Sequence, residues 1–351
     1  MQTHKLYMQR ALQLAENGKL HVAPNPKVGC VIVHNGKIIG EGFHAEYGKP
    51  HAEAEAIASV KDKNLLKDST LYVNLEPCSH YGKTAPCADL LIAHNIPQVF
   101  IASLDPNPKV SGQGIAKLKQ AGCNVEVGLL EDEAKALNKR FFCFHQKKRP
   151  NIVLKWAQTL DGFMDCNQRN EKKRVKYWIT NDSLNRIVHS WRAEETAIFV
   201  GANTILHDNP QLNVRYAAGK NPIKISLITR EIALEKYHIG NLFQPTIIFN
   251  FEQEKQCESL LFAKLSDPKN WEKEMLERLY SLQIQSVMIE GGQRTLQQFI
   301  DLNLWDEARI LVGNKYFGKG LKSPVLSKTP AHIEEVEGDR IVFVEGETLI
   351  L

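Results

Sequence analysis

The sequence predicts two α/β domains in succession, and three observations support this fold class. First, 351 residues exceed the length at which a single hydrophobic core usually stops growing, about 250–300 residues. Second, apolar β-branched segments alternate with helical patterns along the chain, which is typical of sheets covered by helices. Third, a basic segment ending in proline, residues 147–150, interrupts this alternation. We therefore predict one domain at 1–146 and a second at 147–351.

The first domain is predicted to be a sheet with helices on its faces. An amphipathic helix opens it over residues 1–18, and a charged helix beginning at residue 131 leads into the basic segment. Strands are predicted at 28–33, 71–75, 98–104 and 124–130, with helices between them at 51–60, 88–95 and 114–122. Because helices separate successive strands, they are expected to cover the sheet.

The second domain repeats the alternation with its own series of elements. Strands are predicted at 151–157, 196–202, 223–229, 246–250, 286–292 and 308–314, and a strand pair at 341–351. Helices fit between several of them, around 181–192, 270–282 and 293–302. The two halves show no internal repeat, so we predict two unrelated domains.

Composition excludes several classes of protein. A formal charge of +4, with acids and bases interleaved, argues against a nucleic-acid partner but suits phosphorylated small molecules. No run approaches the roughly 18 apolar residues of a membrane span, and no signal peptide is evident. The seven cysteines are odd in number and scattered, which favours metal ligation or free thiols over disulfides. We expect a cytoplasmic protein with no membrane partner.

Three short segments of the first domain carry a zinc-site pattern. His51-Ala52-Glu53 opens a predicted helix, Glu76-Pro77-Cys78 follows a strand, and Pro86-Cys87 opens the next helix. A hydrolytic Zn²⁺ site uses three protein ligands and leaves a position for water, which His51, Cys78 and Cys87 can provide. Glu53 would then move the proton.

Two other interpretations of these residues stay open. A core histidine and two unrelated buried cysteines would give the same letters without any metal. A purely structural zinc site is the second alternative, since His44 or His80 could close the site as a fourth ligand.

The order H-A-E, P-C and C resembles the cytidine, deoxycytidylate and tRNA-adenosine deaminase superfamily, which implies a cytidine-deaminase-like α/β/α fold. Its usual P-C-x-x-C is replaced here by eight residues between Cys78 and Cys87. With Pro24–Gly29 and Gly42–His44, this spacing resembles the riboflavin-biosynthesis deaminases. The implied substrate is a diaminopyrimidinone ribosylamine 5′-phosphate, which loses its 2-amino group as ammonia. The implied substrate contacts are Asn25, His44, His80 and Lys83.

Three of the four implied contacts also have an ordinary interpretation. Asn25 precedes a proline and could be only a turn residue. His44 could be a hydrogen-bonded loop histidine, and Lys83 could simply be solvated. Asp105-Pro106-Asn107-Pro108 is by default a turn, and Asn107 is a weak candidate contact.

From its residues alone, the second domain predicts no more than an α/β ligand-binding domain. Gly291-Gly292 follows a strand, so it could be an ordinary turn or a loop that holds a phosphate at a helix N-terminus. The G-x-G-x-x-G pattern of a classical dinucleotide fold does not occur there.

An ordered set of motifs is more specific, and it resembles the reductase domain of the same bifunctional family. The set comprises Lys155, Leu160-Asp161-Gly162, Trp178-Ile179-Thr180, Arg192, Val200-Gly201, Thr204, Asp208–Arg215 and Glu290-Gly291-Gly292. The resemblance implies a dihydrofolate-reductase-like fold and an NADPH-dependent reduction of the ribosyl group to ribityl. The implied substrate contacts are Arg192, Asp208, Leu212, Arg215 and Glu290. The implied cofactor contacts are Ala157, Trp178, Thr204, Thr229, Gly292, Gln293, Arg294 and Thr295.

Two departures from that family weaken the reductase half of the resemblance. Lys176 replaces a usual serine, and Ile228 replaces a usual aspartate, although Thr229 keeps a hydroxyl. A deaminase whose degenerate reductase domain serves as a scaffold is therefore the alternative. A tRNA- or nucleoside-acting deaminase and a non-catalytic zinc protein are weaker alternatives. The choice of NADPH over NADH rests on the resemblance, which also leaves open a homo-oligomer through the reductase domain.

Overall fold

The computed structural model describes residues 2–80, 85–108, 110–166, 169–170, 173–174 and 177–346, with the backbone alone at 169–170 and 173–174. The predicted contact Lys83 and the departure Lys176 both lie outside the described residues. The chain divides into two units, Met1–Lys148 and Arg149–Leu351. The functional boundary after residue 146 stays a prediction.

The first unit combines a five-stranded sheet with helices. Its elements are α1 (Gln2–Glu16), β1 (Gly29–His34), β2 (Lys37–Phe43), α2 (Ala52–Ser59), β3 (Thr70–Val73), α3 (Cys87–Ala93), β4 (Gln98–Ile101), α4 (Gln113–Gln120), β5 (Asn124–Val127), α5 (Glu131–Leu137) and α6 (Lys139–Lys147). The strand order is β2-β1-β3-β4-β5. Strand β1 runs antiparallel to both neighbours, and the remaining pairs are parallel.

Strand alternation builds a separate core on each face of this sheet. Cys30 and Ile32 of β1 pack with apolar residues of α2, α3 and α4. Val31 and Val33 point to the opposite face and pack against α1. Because successive side chains of a strand face opposite sides, these segments form three layers in the order α/β/α.

Helix α2 lies unusually close to β2. A Cβ atom on Gly42 would come within 2.3 Å of the Ala56 nitrogen and 2.5 Å of the Ala52 carbonyl oxygen. A side chain there would displace the helix, so glycine is required. This contact fixes the position of the helix that begins directly after His51.

One predicted helix of the first domain is interrupted. The charged segment after residue 131 forms α5 and α6, which meet at Asn138. The Asn138 side chain accepts a hydrogen bond from the Lys27 nitrogen and donates one to the Lys27 carbonyl oxygen, both at 2.8 Å. This pairing with a distant loop turns the backbone at Asn138, which a local pattern cannot predict.

The second unit contains a larger sheet. Its elements are β6 (Asn151–Thr159), β7 (Phe163–Asp165), β8 (Arg169–Asn170), β9 (Lys173–Arg174), α7 (Asp182–Glu194), β10 (Ala197–Phe199), α8 (Ala202–Asp208), β11 (Ile223–Leu227), β12 (Thr246–Asn250), β13 (Lys255–Cys257), β14 (Leu260–Lys264), α9 (Trp271–Ser281), β15 (Ser286–Ile289), α10 (Gln293–Asp301), β16 (Glu307–Gly313), β17 (Leu321–Lys322), β18 (His332–Val336) and β19 (Asp339–Glu345). The main sheet has the order β13-β14-β12-β11-β10-β15-β6-β16-β19-β18.

Seven strands of this sheet, from β14 to β16 in that order, are parallel. Helices α9 and α10 contribute Trp271 and Leu296 to a core with Trp156 of β6 on one face. Helices α7 and α8 lie on the other face, where Leu184 and Ile205 are buried. The carboxyl ends of parallel strands meet at one edge, where α/β folds bind ligands.

The end of the chain differs in part from the predicted strand pair at 341–351. Strand β19 is present, but its antiparallel partners are β18, which precedes it, and β16. Residues 347–351 lie outside the described part of the chain. Among the described helices, none has the length and apolarity needed to cross a membrane.

Candidate active sites

The three predicted zinc ligands converge at the ends of helices in the first unit. His51 immediately precedes α2, Cys87 is the first residue of α3, and Cys78 follows β3. The His51 Nδ1 atom lies 3.5 Å from Cys78 Sγ and 3.3 Å from Cys87 Sγ. All three ligand atoms lie within 4.8 Å of one another. One imidazole and two thiols at this spacing fit a tetrahedral metal ion with one position free for water.

Glu53 is buried next to these ligands, with 3% of its surface exposed. Burial and the nearby Cys78 raise the pKa of Glu53 to about 7, against the opposing charge of His51. A hydrogen bond from Cys87 and one from His51 lower the pKa of Cys78, whereas the pKa of Cys87 is raised. The site therefore holds a carboxyl group that can exchange a proton near neutral pH.

His44 and Asn25 form one hydrogen-bonded pair beside the ligands. His44 Nδ1 lies 3.0 Å from the Pro50 carbonyl oxygen, and its Nε2 lies 3.0 Å from Asn25 Nδ2. A neutral imidazole that donates from Nδ1 and accepts at Nε2 satisfies both contacts. Burial lowers the pKa of His44, which favours this neutral form. Both ring nitrogens are thus engaged, which argues against His44 as a fourth metal ligand. The other candidate, His80, is exposed.

Asp105 is a residue that the sequence pattern assigned only to a turn. It follows β4 in a half-buried loop, and burial raises its pKa to about 6, with His80 among the groups that lower it. Its Oδ1 atom accepts a 2.8 Å hydrogen bond from the Asn107 nitrogen. The available signal was a pair of polar residues, each directly before a proline, in a loop after a predicted strand.

A buried ion network lies beyond the end of β15 in the second unit. Glu290 accepts two 2.6 Å hydrogen bonds from Arg192, and its Oε2 lies 3.7 Å from Lys155 Nζ. Burial alone would raise the pKa of Glu290, but the charges of Arg192 and Lys155 hold it at about 2. Burial lowers the pKa of Lys155, and the charge of Glu290 opposes this shift. With Arg192 and Lys155 both protonated, the network carries a net positive charge, which suits an anionic substrate. The sequence pattern includes Lys155 only as part of a motif, although a single lysine within an apolar strand already marks it as unusual.

The loop after α8 holds the other predicted substrate contacts. Arg215 is exposed, and its backbone nitrogen donates a 3.0 Å hydrogen bond to His189 Nδ1. Burial and the two arginines Arg192 and Arg215 lower the pKa of His189 to about 4, so this acceptor is neutral. Asp208 is exposed at the end of α8. The Leu212 side chain is buried in the core at φ 53°, so only its backbone is left for a substrate contact.

The predicted cofactor loop begins α10. Gly292 is the N-cap of this helix, and Gln293, Arg294 and Thr295 form its first turn. Thr204 Oγ1 lies 3.5 Å from the point where a Cβ of Gly292 would stand. The Gly201 nitrogen donates to the Gly291 carbonyl oxygen at 3.1 Å, which joins the ends of β10 and β15. Backbone N–H groups at a helix start are suited to phosphate oxygens.

The remaining predicted cofactor residues differ in accessibility. Thr229 is exposed just beyond β11, whereas Ile228 is buried in the apolar core with Val200. Ala157 lies in β6, packed against the core of α7.

Trp178 is 59% exposed and stands in a segment anchored by its backbone. Lys315 Nζ donates a 2.5 Å hydrogen bond to the Trp178 carbonyl oxygen. Asp339 accepts hydrogen bonds from the nitrogens of Asn181 at 2.7 Å and Asn314 at 2.8 Å. The segment 177–181 is thereby tied to the loop after β16 and to the start of β19, while the indole stays accessible to a ligand.

Comparison with known proteins identifies the family. The family model described as RibD C-terminal domain matches residues 150–337, and that of the cytidine and deoxycytidylate deaminase zinc-binding region matches residues 1–103. The riboflavin biosynthesis protein RibD of Aquifex aeolicus is 40% identical, over 90% of this chain and 88% of that protein. The chain belongs to the RibD family.

Solved RibD structures agree with this assignment. The deaminase/reductase of Thermotoga maritima is 36% identical, with a TM-score of 0.86 over 99% of each chain. RibD of Acinetobacter baumannii is 29% identical with the same TM-score and coverage. The predicted fold class is confirmed: a cytidine-deaminase-like domain is followed by a reductase domain of dihydrofolate-reductase-like fold.

RibD proteins are bifunctional, and this chain has both halves. It is a deaminase and a reductase of riboflavin biosynthesis, as the sequence predicted. The comparisons give no support to the alternative of a degenerate reductase, since the RibD C-terminal model and the full-length relatives extend through the second unit.

Proposed function

We propose that the first unit, with Zn²⁺ on His51, Cys78 and Cys87, removes the 2-amino group of 2,5-diamino-6-ribosylamino-4(3H)-pyrimidinone 5′-phosphate. The Thermotoga maritima relative carries the name of a diaminohydroxyphosphoribosylaminopyrimidine deaminase and 5-amino-6-(5-phosphoribosylamino)uracil reductase. The second unit then reduces the ribosyl group of the product to ribityl with NADPH. The observation that carries the proposal is the buried Glu53 beside three converging ligand atoms.

In the deamination, this chain's residues bind the ring and move the proton. The Asn25 amide presents donor and acceptor atoms to the pyrimidine edge, and His44 lies beside the ring and orients that amide through its Nε2 atom. His80 and Lys83 serve the ribose phosphate side. Zinc, when bound, acidifies water so that a nucleophile exists at neutral pH. Glu53 accepts one proton from the attacking water and delivers it to the ring nitrogen. It then passes a second proton, from the added hydroxyl group, to the amine as the C–N bond breaks, which releases ammonia and leaves the ring carbonyl.

In the reduction, the chain supplies position and charge. Arg192, Arg215 and Asp208 hold the phosphorylated substrate, with the backbone of Leu212, and Lys155 and Glu290 lie beside its reacting end. NADPH, when bound, supplies the hydride. The N–H groups of Gly292–Thr295 hold its pyrophosphate, and Trp178 with Ala157 flanks its nicotinamide. Thr204 and Thr229 add hydroxyl groups.

A two-signal assay tests the proposal. The zinc-loaded protein receives the ribosylaminopyrimidine phosphate, and ammonia release and NADPH oxidation are recorded separately. We expect ammonia first and NADPH oxidation after it, with NADH a poor substitute. After zinc is removed with a chelator, ammonia release should stop, whereas NADPH oxidation on the deaminated pyrimidine should continue. Ammonia without NADPH oxidation would refute the bifunctional assignment of substrates.

The cellular setting forms part of the same proposal. We infer a cytoplasmic enzyme that acts on a small phosphorylated pyrimidine and has no nucleic-acid or membrane partner. The modest charge of +4 and the bacterial biosynthetic relatives support this inference. A homo-oligomer through the reductase domain is also proposed, and light scattering of the purified chain tests it.

A further inference from the structure

Glu76 lies two residues before the proposed ligand Cys78, yet the mechanism above gives it no role. It is buried, with 4% of its surface exposed. Both carboxylate oxygens accept hydrogen bonds from backbone N–H groups. Oε1 accepts from Gly114 at 2.9 Å and Ile115 at 3.3 Å, and Oε2 accepts from Gly112 at 2.9 Å and Asp105 at 3.3 Å.

These four bonds join three separate segments. Glu76 itself belongs to the loop that carries Cys78, Asp105 belongs to the loop after β4, and Gly114 lies in the first turn of α4. The Glu76 nitrogen also donates a 3.0 Å hydrogen bond to the Ser103 carbonyl oxygen. Hydrogen bonds to a carboxylate are stronger than neutral ones, and a helix N-terminus favours negative charge. One side chain thus holds two walls of the proposed deaminase site in place.

A second contact acts on the same loop. A Cβ atom on Gly114 would lie 2.0 Å from the Pro77 carbonyl oxygen. The first turn of α4 therefore contacts the backbone next to Cys78 directly, which only glycine allows. The carboxylate of Glu76 and the bare backbone of Gly114 together leave the Cys78 loop little freedom to move.

We propose that Glu76 is a positioning residue of the deaminase centre, which fixes the Cys78 thiol and the Asp105 loop through backbone amides without touching substrate. The inference rests on the proposed zinc-dependent function. Groups that orient metal ligands from outside are generally worth about 10- to 100-fold in metal affinity or activity. A residue that only stabilised the fold would lower the melting temperature without changing how fast the metal leaves.

The test compares zinc-loaded, full-length protein with its Glu76→Gln variant. Glutamine keeps the shape but turns an NH₂ group toward N–H donors, so at least one pair of bonds is lost. We expect zinc transfer to a colorimetric chelator to become about tenfold faster or more, and kcat for ammonia release to fall by a similar factor. NADPH oxidation on the deaminated pyrimidine should stay within twofold of the parent and serves as the internal control.

Leu118→Ala is the matched control, because Leu118 is a buried core residue of the same helix α4. It should lower the melting temperature while zinc transfer stays at the parental rate. Parental zinc transfer in Glu76→Gln, or equally fast transfer in Leu118→Ala, would overturn the proposal.

If Glu76→Gln does not fold, Glu76→Asp decides instead. It keeps the charge but is too short to reach both pairs of donors. Zinc transfer faster than in the parent supports the proposal, and parental transfer overturns it. A parent protein that binds zinc but releases no ammonia would refute the proposed function alone, since the zinc-transfer comparison would still stand.

Discussion

Each unit buries a glutamate in its proposed site, and the two carboxyl groups have pKa values on opposite sides of the ordinary one. Burial and the neighbouring Cys78 raise the pKa of Glu53 to about 7. Burial acts in the same direction on Glu290, but Arg192 and Lys155 outweigh it and hold the pKa at about 2. The same side chain is thus prepared for proton exchange in one unit and for a permanent charge in the other.

Burial raises the pKa of both carboxyl groups, so the difference between them comes from the neighbouring charges. The charges that act on Glu53 are those of the Cys78 thiol, which raises its pKa, and of His51, which lowers it by less. A bound zinc ion would add positive charge beside it. Glu290 is paired with Arg192 and Lys155, which keep it ionised at neutral pH, so it is not suited to proton exchange. We therefore expect substitution of Glu53 to abolish most of the ammonia release, and substitution of Glu290 to reduce NADPH oxidation only in part.

The largest effect is expected for Glu53→Gln. The amide cannot carry the proton, so ammonia release should fall by about 10²- to 10⁴-fold, the range for loss of a general acid–base group. Zinc content, measured by atomic absorption, should stay at one ion per chain because the ligands are intact. Glu55→Gln, an exposed glutamate of the same helix, is the control and should leave both quantities unchanged. Full activity in Glu53→Gln would contradict the proton-transfer role.

Glu290→Gln should have the next largest effect and should act on the reductase alone. It leaves Arg192 and Lys155 without their counter-charge, and hydrogen bonds to charged groups contribute about 1.5–3 kcal/mol each. We expect kcat/KM for NADPH oxidation to fall about 10- to 100-fold, with ammonia release unaffected. Glu272→Gln, at a buried glutamate on α9, is the matched control. Equal losses in both variants would mean that burial, rather than the network, explains the effect.

The pH dependence of stability should distinguish the units further. Because the pKa of Glu290 is about 2 in the folded protein and its ordinary value is 4.5, its contribution is complete above pH 4.5. That contribution is lost as the pH falls toward 2. All five tryptophans lie beyond residue 148, so their fluorescence reports unfolding of the second unit alone. Urea midpoints should fall from pH 5 to pH 3, and less steeply in Glu290→Gln. If the urea midpoints of the parent and of Glu290→Gln fell equally steeply with pH, protonation of Glu290 would not account for the loss of stability.

The smallest effect is expected for Lys315→Ala. Losing the bond to the Trp178 carbonyl oxygen should raise KM for NADPH about two- to fivefold, as for one partly solvated hydrogen bond. The kcat for NADPH oxidation should change less than KM, because the proposed role of Trp178 is to flank the cofactor and not to transfer a proton. Lys319→Ala, at an exposed lysine of the same loop, should leave KM unchanged. A KM for NADPH equal to that of the parent would show that the hydrogen bond from Lys315 does not help Trp178 to bind the cofactor.

Elements with a strong periodic pattern could be predicted from the sequence, and those set by distant partners could not. The sequence pattern does not predict strand β2, because Gly40 and Gly42 interrupt its apolar residues. The same two glycines allow helix α2 to pack closely against the strand. Strand β18 was missed because most of its residues are exposed, so no alternation marks it. Asn138 divides a predicted helix through its bonds to Lys27, more than a hundred residues earlier.

The sites follow the same rule. The sequence predicts His51, Cys78 and Cys87 together because one imidazole and two thiols, at two helix starts and after a strand, form the ligand set of a hydrolytic zinc site. The pairing of Lys155 with Glu290 depends on β6 lying next to β15, and strand order is not visible in a local pattern. Leu212 shows the opposite case, since its motif marked a contact while its side chain packs in the core.

The contact between Gly42 and helix α2 has a consequence for how the family can vary. Core side chains can be exchanged for others of similar volume, and each exchange normally shifts a helix slightly. Here backbone rests on backbone, so the distance from the sheet to the helix of His51 and Glu53 does not depend on which apolar residues fill the neighbouring core. Substitutions in the surrounding core can therefore accumulate without moving Glu53, the proposed proton carrier, away from the proposed zinc ligands. Gly42 itself should be among the positions least tolerant of replacement in a saturation scan.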